Sequence, residues 1–333
     1  MLKQILSLAL SCILLMCAAQ AELSVHFLDV GQGDAALVIC DGEAMLIDGG
    51  NAADSSLLYA YLETYGISTL NYVVATHPHE DHIGGLPGAL QYATAQTVFS
   101  PVEEYDSKYF HNLLESLHAQ GLSITVPQCG GTYSLGSASF QFIAPVEQDY
   151  SDMNDSSLVL RLCYGETAFL FTADAGRESE EDFLAAGYDV SATVLKVGHH
   201  GSRDSTTYPL LYFAKPQYAV ISCGADNDYG HPHEETLSRL RDADVTLYRT
   251  DLQGTIICKS NGTNVTFTPA KNPTIQTNPT VNTDSGRYIG NINSHVFHLS
   301  TCSSLPLEKN RIYFENRSDA VNEGYSPCRR CNP

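Results

Sequence analysis

The chain has 333 residues, of which 43% are hydrophobic, enough for one large domain with a proper core and a small second domain. It contains 18 lysines and arginines against 38 aspartates and glutamates, so its formal charge is −20 at pH 7. This acidity favours solubility and excludes a general electrostatic attraction to nucleic acid, so any binding of DNA or RNA has to be local and sensitive to salt.

Residues 1–21 have the pattern of a signal peptide. Lys3 precedes the apolar residues 5–17, and Ala19-Gln20-Ala21 then supplies the small-x-small pattern of a signal-peptidase site. We therefore expect a secreted protein. The apolar run is short for a spanning helix, so an uncleaved membrane anchor is the minor alternative. No other stretch approaches the roughly 20 apolar residues that a spanning helix needs, so no membrane channel is expected.

Two predicted strands begin the main domain, and each is followed by a turn with an aspartate. Residues 23–30 precede Asp34, and residues 44–47 precede Asp48. Each aspartate either forms its turn or orients a metal-binding histidine. Residues 54–65 are predicted to form a helix because their apolar side chains recur on one face.

A cluster of potential metal ligands follows the next predicted strand, residues 72–75. His77, His79, Asp81 and His82 lie within six positions. A lone histidine is usually an ordinary surface residue, but four such side chains in one loop predict a metal site. In an irregular loop the first two histidines can converge on one ion while the aspartate and the last histidine turn towards a second. Imidazole and carboxylate ligands suit Zn, Mn or Fe and leave positions for water.

Further polar side chains lie in the middle of the chain, among helices and short strands. Asn154 and Asp155 are in a loop rich in aspartate and asparagine, where they either bind a metal or a water beside it, or simply form a turn. Asp174 follows a buried strand and is either a metal ligand or a helix cap. The helices predicted here cover 86–92, 107–120 and 177–186, and the strands cover 97–100, 124–126, 139–143, 158–162 and 168–171.

Histidines also follow the last two predicted strands, residues 193–197 and 218–222. His199 and His200 are adjacent, and adjacent side chains point apart on extended backbone, so at most one is expected to face the metals. His231 is the best candidate for the last metal ligand.

Three neighbouring residues are candidates for substrate contacts. Lys196 or Arg203 can meet a phosphate oxygen, because each carries a positive charge next to the histidine pair. His233 either contacts the substrate or caps a helix predicted over 234–240. No glycine-rich phosphate loop and no Ser-His-Asp nucleophile competes with the metal site.

Several of these motifs resemble a known family. The spacing His77-x-His79-x-Asp81-His82 resembles the HxHxDH signature of the metallo-β-lactamase superfamily. More narrowly, residues 27–35, 46–50, 195–202 and 229–233 resemble the hydrolase domain of ComEC/Rec2 competence proteins, in the right order over about residues 23–268. The resemblance implies an α/β fold, namely an αββα sandwich of two sheets with helices outside.

The resemblance also implies roles for individual residues. Asp174 matches a carboxylate that bridges two metal ions, and His199 with Ser202 matches a His-x-x-Ser element that supplies a general acid, which makes His199, His200 and Asp81 the catalytic candidates. Most of the superfamily has a further metal-binding histidine near Asn154. This chain has none between His118 and His199, so the binding of the second metal is the point at which it departs from the pattern.

A small C-terminal domain is predicted to be held together by zinc. His298-x3-Cys302 and Cys328-x2-Cys331 have the spacing of a structural zinc site. A domain this small cannot form a large hydrophobic core, so it needs a bound metal ion to stabilise its fold. A disulfide between the last two cysteines is the alternative. Residues 288–291 and 310–328 resemble the Ada-like metal-binding family. From residue 287 onward there are six basic and four acidic residues, which suits a weak nucleic-acid contact.

These patterns predict a signal peptide (1–21), a hydrolase domain (22–268), a linker (269–286) rich in proline, asparagine and threonine, and an Ada-like zinc domain (287–333). The expected function is a secreted hydrolase with two divalent metals, Zn or Mn, and one structural Zn, acting as a phosphodiesterase or nuclease on extracellular DNA. The alternatives are a lactone or β-lactam hydrolase, and a non-catalytic protein that binds DNA or cell wall through a decayed site.

Overall fold

Short strands, each with a buried face, form the framework of the larger part of the chain. The computed structural model describes residues 22–147, 149–279, 288–300, 302–331 and 333, so the predicted signal peptide and residues 280–286 of the predicted linker lie outside the described residues. The strands are Leu23–Phe27 (β1), Ala36–Cys40 (β2), Glu43–Ile47 (β3), Thr69–Val74 (β4), Thr94–Phe99 (β5), Ile124–Thr125 (β6), Thr132–Leu135 (β7), Ala138–Ala144 (β8), Val159–Tyr164 (β9), Thr167–Phe171 (β10), Val194–Lys196 (β11), Tyr218–Ile221 (β12), Thr246–Arg249 (β13), Ile256–Ser260 (β14) and Val265–Pro269 (β15).

These strands form two sheets. The first has the order β15-β14-β1-β2-β3-β4-β5-β6, and the second has the order β13-β12-β11-β10-β9-β8-β7. Strand β2 was missed in the sequence analysis, although its hairpin with β3 has a clear signal. The turn is Asp41-Gly42, with φ angles of 52° and 85°, and an Asp-Gly pair with two positive φ angles is a preferred two-residue hairpin turn.

Helices cover the outer face of each sheet. The apolar faces of the first four helices in the chain pack on the first sheet, and those of the next three helices pack on the second sheet. The helices are Ser55–Tyr65 (α1), Glu80–Ile83 (α2), Leu86–Tyr92 (α3), Lys108–Ala119 (α4), Arg177–Ala185 (α5), Tyr208–Ala214 (α6), Glu234–Asp242 (α7) and Thr250–Gln253 (α8). No helix within the described residues is long and apolar enough to cross a bilayer.

The largest buried cluster lies between the two sheets. It contains phenylalanines from both, including Phe27 and Phe99 of the first sheet and Phe140, Phe142 and Phe169 of the second, all of them about 1% exposed or less. Burial of such rings supplies much of the free energy that holds two sheets face to face. With the helix layers outside, the molecule has four layers in the order αββα, which confirms the predicted fold class.

The strand directions bring the polar loops to one edge. Strand β4 is parallel to β3 and β5, and β10, β11 and β12 are parallel to one another. Parallel neighbours end on the same side of a sheet, and polar residues beyond their carboxyl ends therefore meet there. Asp48 follows β3, His77 follows β4, Asp174 follows β10 and His200 follows β11.

The described residues divide into two compact units between Thr277 and Asn278. The first part of the predicted linker belongs to the larger unit, because its backbone is bonded to it. The amides of Ala270 and Lys271 donate to the carbonyl oxygens of Thr255 and Gln253 at 2.9 Å. The hydroxyl of Thr277 donates to the carbonyl oxygen of Leu247 at 2.5 Å.

The second unit is a small sheet with one short helix. Its core consists of the four buried side chains Phe297, Phe314, Ala320 and Tyr325, with two half-buried residues packed against them. Its strands are Tyr288–Asn291 (β16), Val296–His298 (β17), Arg311–Phe314 (β18) and Ser326–Pro327 (β19), and its helix is Arg317–Asn322 (α9). The spatial order of the strands is β18-β16-β17-β19.

Candidate metal centre

The histidine loop after β4 is held by two neighbouring turns. The amide of Asp34 donates to the carbonyl oxygen of Asp81 at 3.0 Å, and the amide of Gly49 donates to that of His82 at 2.6 Å. The approach is so close that a side chain at Gly33 would meet the carbonyl oxygen of Asp81 at 2.4 Å. The two turns seen in the sequence thus fix the backbone of the predicted metal loop.

Asp174 is the centre of the site. Its Oδ1 lies 3.3 Å from Nε2 of His82, and its Oδ2 lies 3.4 Å from Nε2 of His200, 3.6 Å from Nε2 of His199 and 3.9 Å from Nε2 of His77. The carboxylate is 3% exposed. His79, whose Nδ1 is 3.0 Å from Nε2 of His77, extends the group towards the surface. The structure therefore brings the predicted loop ligands and Asp174 together.

His200 is grouped with these residues, whereas His231 is not. One ligand atom from each of Asp81, His82, Asp174 and His200 lies within 4.8 Å of the others. Nε2 of His200 is 3.2 Å from Oδ2 of Asp81, and the ring is 1% exposed. The sequence analysis named His231 as the best candidate for the last metal ligand and His200 as catalytic; the structure places His200, and not His231, in this group of potential ligands.

The reason is a local backbone conformation. His199 and His200 lie in a single turn, Gly198–Gly201, with φ angles of 48° and 53°, whereas the prediction assumed extended backbone. The left-handed turn sends the His200 ring into the buried group and leaves His199 28% exposed on the cavity wall. Nδ1 of His231 instead pairs with Nε2 of Gln32 at 3.3 Å.

Two buried aspartates orient the buried imidazoles. Oδ2 of Asp48 accepts from Nδ1 of His82 at 2.8 Å, and the amide and hydroxyl of Thr76 also donate to this carboxylate. Nδ1 of His200 donates to the carbonyl oxygen of Ser222 at 3.1 Å and lies 3.2 Å from Oδ1 of Asp34. Each Nδ1 faces acceptors and therefore carries the proton, which leaves Nε2 with a lone pair for a metal.

The buried atoms of the group lack hydrogen-bond partners among the described residues. These atoms are Nε2 of His82, Nε2 of His200 and Oδ1 of Asp174. Buried polar atoms are nearly always paired, and three unpaired ones directed at a common point fit a metal ion with imidazole and carboxylate ligands. The donor set therefore fits the divalent metals that the sequence predicts.

The pKa values of the group also indicate a site that attracts a cation. Burial lowers the pKa of His82, but the carboxylates of Asp174, Asp48 and Asp81 outweigh burial and raise this pKa well above its ordinary value. For Asp174, burial raises the pKa, but His200 and His82 outweigh it, and the result lies well below the ordinary value. The carboxylates thus create a negative field that favours positive charge at this point.

Comparison with known proteins decides the family. Residues 28–225 match the model of the metallo-beta-lactamase superfamily. The chain belongs to this superfamily. Residues 276–333 match the metal binding domain of Ada, so the second resemblance is also confirmed.

The relatives of this superfamily member include a competence protein. The chain is 29% identical over 254 residues to ComE operon protein 3 of Bacillus subtilis, covering 71% of this chain and 33% of that protein. It is 30% identical over 237 residues to competence protein ComA of Neisseria gonorrhoeae, covering 71% and 32%. The chain thus spans about a third of the length of these relatives. A metallo-beta-lactamase fold protein from Bacillus subtilis is 13% identical, with a TM-score of 0.47 over 72% of this chain and 100% of that one.

A cavity of about 270 Å³ opens over the metallo-beta-lactamase centre. Two of its lining residues, Gln32 and Tyr229, were missed as site residues, although each stands next to a glycine in a motif that the sequence analysis used. Asn154 is also in the lining, but Asp155 is not. Oδ1 of Asp155 instead accepts from the amides of Gly176 and Ser179 at the start of α5.

Lys196, Ser202 and His233, which the sequence offers as possible substrate contacts or supports of the site, are not in the lining of this cavity. Lys196 is 4% exposed, and its Nζ pairs with Oδ2 of Asp34 at 2.8 Å, so it stabilises the buried aspartate and does not meet a phosphate. Ser202 is 5% exposed, and its hydroxyl accepts from the amide of Asp204. Nδ1 of His233 accepts from the amide of Arg203 at 3.1 Å, while its backbone begins α7.

The C-terminal unit contains the second candidate metal site. One ligand atom from each of His298, Cys302, Cys328 and Cys331 lies within 4.8 Å of the others, and the three cysteines are free, in contrast to the disulfide alternative. Burial raises the pKa of Cys328, but the amides of Arg330 and Cys331 outweigh it and lower this pKa. Three free thiols and an imidazole at this spacing fit the tetrahedral site that zinc prefers.

We predict that Asp48→Asn weakens metal binding in the larger unit by about 10- to 100-fold, because the amide loses the charge that orients His82. Titration calorimetry with Zn or Mn measures the effect. Glu63→Gln, which removes an exposed carboxylate of α1, is the control. Equal affinities in the two variants would contradict the orienting role.

A second prediction concerns the stability of the segment after the turn that carries His200, where the hydroxyl of Thr206 accepts from the amide of Gly198. The buried Glu180 on α5 accepts from the amides of Thr206 and Thr207 at 2.5 and 2.9 Å, and burial raises its pKa from 4.5 to about 7. Arg239 of α7 faces the same carboxyl. The folded state therefore keeps a proton that the unfolded chain loses, so this contribution to stability is complete below about pH 4.5 and is lost as the pH rises to about 7.

Glu180→Gln should remove this pH dependence, since an amide does not titrate. Between pH 4.5 and 7 the free energy of unfolding of the wild type should fall by about 3 kcal/mol more than that of the variant. Urea denaturation at several pH values measures the difference. Glu181→Gln, an exposed neighbour on α5, should follow the wild type. Parallel curves for wild type and Glu180→Gln would refute the assignment.

The third prediction concerns the C-terminal unit. Cys302→Ser should lose one zinc per chain and unfold residues 288–333, because four buried side chains make too small a core without the ion. Zinc analysis and proteolysis of the full chain are the measurements. Cys129→Ser, which removes a thiol of the larger unit, should keep its zinc. A protease-resistant C-terminal unit without zinc would exclude a structural role for the metal.

Proposed function

We propose that the protein is a secreted, metal-dependent phosphodiesterase that acts as a nuclease on DNA. Secretion is proposed on the pattern of residues 1–21. When bound, divalent ions such as Zn or Mn supply Lewis acidity and lower the pKa of water. The residues that would hold two such ions are His77, His79, Asp81, His82, Asp174 and His200.

The proposal is carried by three rings around the cavity that are not members of the ligand group. His199 lies on the cavity wall, with Nε2 3.6 Å from Oδ2 of Asp174, where it can donate a proton to the leaving oxygen of a diester. Tyr229 stacks on His231 at the mouth, with ring centroids 5.6 Å apart and planes at 19°. The Tyr229 side chain is 67% exposed, and its free face can stack on a nucleobase.

The loop that presents Tyr229 is held firmly. Oδ1 of Asn227 accepts from the amides of Tyr229 and His231, and its Nδ2 donates to the carbonyl oxygens of Gly224 and His231. Gln32 joins this loop to the first sheet, because its Oε1 accepts from the amide of Gly224 at 3.1 Å. An exposed ring on a fixed loop loses little conformational entropy when it binds a base.

Charge around the site favours local binding from one side. A neighbouring cavity of about 350 Å³ shares Asp174, Asn154 and His199 with the centre and is lined mainly by carboxylates. A polyanion is repelled from that cavity and approaches over the Tyr229 side. The name of one relative, from Neisseria gonorrhoeae, refers to competence, and that of another, from Haemophilus influenzae, to recombination, which supports DNA as the substrate.

The proposal predicts cleavage of plasmid or single-stranded DNA in Mn or Zn, and its loss in a double variant, His79→Ala with Asp81→Ala. His199→Gln should lower the rate on DNA by about 10²- to 10⁴-fold, the usual value of a general acid, while its metal content stays unchanged. It should affect bis(p-nitrophenyl) phosphate much less, because that leaving group needs no proton.

The control is His118→Gln, which removes an exposed histidine of α4. If the folded, metal-loaded protein leaves DNA intact but opens lactones or β-lactams, the nuclease proposal is wrong and the small-ester alternative holds. If it binds DNA or cell wall without any hydrolysis, the non-catalytic alternative holds.

The exposed ring gives a separate prediction. Tyr229→Ala should raise KM for an oligonucleotide by about 5- to 100-fold, in line with roughly 1–3 kcal/mol per stacked base, while Tyr229→Phe keeps the wild-type value. An oligonucleotide with an abasic site beside the cleaved bond should show no difference between the three proteins. Equal KM values for intact oligonucleotides would rule out stacking by Tyr229.

A further inference from the structure

Asn154 has a side-chain oxygen that is buried without a partner. The residue lies in a turn of 3-10 helix, Met153–Ser156, where Oδ1 of Asp152 accepts from its amide at 3.0 Å. Its own Oδ1 has essentially no solvent contact and no hydrogen bond to any described residue. An amide oxygen is a good acceptor, and leaving it buried and unpaired costs about 1–3 kcal/mol. This oxygen therefore requires a partner of another kind.

The turn is bonded to the segments that carry the metal loop and the central carboxylate. The amide of Leu158 donates to the carbonyl oxygen of Thr76, the residue before His77, at 2.9 Å. On the other side, Oδ1 of Asp155 accepts from the amide of Gly176, two residues after Asp174, at 2.8 Å. Asn154 is thus fixed between the beginning of the histidine loop and the end of β10.

The position matches the side of the centre that is short of ligands. Asp81, His82, Asp174 and His200 form a group of four, whereas His77 and His79 belong to no such group among the described residues. Nε2 of His77 is 3.0 Å from Nδ1 of His79 and 3.9 Å from Oδ2 of Asp174. Asn154 lines the same cavity as His79 and Asp174. A tetrahedral ion in a catalytic site usually has three protein ligands and one open position.

We propose that Oδ1 of Asn154 is a ligand of the ion held by His77 and His79, in the place where most of the superfamily has a histidine. This inference rests on the proposed metal centre but not on the identity of its substrate. An amide oxygen is neutral and harder than imidazole, so this ion is bound more weakly than the ion of the four-residue group. The oxygen also shifts the preference of the weak position from Zn towards Mn.

Metal titration tests the inference without measuring activity. The full chain, with zinc left in its cysteine site, is titrated with Mn or Zn in a calorimeter after the metals of the larger unit have been removed. The wild type should bind two ions, one of them weakly. Asn154→Ala should weaken the second binding event by about tenfold or more, and Asn154→His should strengthen it for Zn by a similar factor, with the first event unchanged.

Cobalt(II) absorption supplies an independent measurement. Exchange of an oxygen for a nitrogen ligand in Asn154→His should change the visible spectrum of the second bound cobalt ion and leave that of the first. Asn112→Ala and Asn112→His, at an exposed position of α4, are the matched controls.

The outcomes separate this inference from the function on which it rests. If the wild type binds two ions and both Asn154 variants, folded by circular dichroism, bind them with unchanged affinity and spectrum, Asn154 is not a ligand, while the metal centre stands. If the wild type binds no second ion in the larger unit, both the inference and the two-metal proposal are wrong. A selective change of the second event in both variants supports the inference.

Discussion

The site depends on one buried carboxylate. Asp174 lies between 3.3 and 3.9 Å from the imidazoles of His77, His82, His199 and His200, which come from two loops on two different sheets. A carboxylate at 3% exposure is stable only when positive charge or hydrogen-bond donors surround it. The two sheets must therefore pack so that the ends of β4, β10 and β11 lie close together. Otherwise the negative charge of this carboxylate has no positive or hydrogen-bonding partner.

A second layer of charges makes this concentration of ligands possible. Lys196 pairs with Asp34, Asp34 lies against His200, and on the opposite side Asp48 accepts from His82. Positive or protonated groups and carboxylates thus alternate across the buried centre. Removing one partner from such a buried pair leaves the other uncompensated and typically costs about 3–5 kcal/mol. This layer fixes which nitrogen of each imidazole faces the metal position.

The acidity of the chain and the proposed polyanionic substrate are compatible because the contacts are local. The cavity lined mainly by carboxylates favours cations, whereas the exposed Tyr229 ring lines the cavity over the centre and is not in the lining of the acidic one. Stacking depends little on net charge, whereas long-range attraction does. A strongly negative protein can therefore hold a nucleic acid through metals and one aromatic ring.

The sequence by itself determined the fold class and most of the side chains that gather at the candidate metal centre, because both are recorded in local patterns. Apolar strands that end in polar turns, and the spacing of His77, His79, Asp81 and His82, indicate which side chains gather at one sheet edge. Strand β2, which follows the turn at Asp34, was missed because its hairpin with β3 was overlooked.

Only the tertiary structure showed that His200, and not His231, lies in the buried group, because this depends on a left-handed turn at His199 and His200 that non-glycine residues adopt rarely. The hydroxyl of Thr206 accepts from the amide of Gly198 at the start of that turn, and the distant Glu180 in turn bonds to Thr206 and Thr207. No local pattern in the sequence records these contacts. Likewise Lys196 has the positive charge of a phosphate-binding residue, but it is buried and pairs with Asp34. Burial and backbone conformation arise from packing between elements far apart in the chain, and these two properties determine where the side chains of His200, His231 and Lys196 lie.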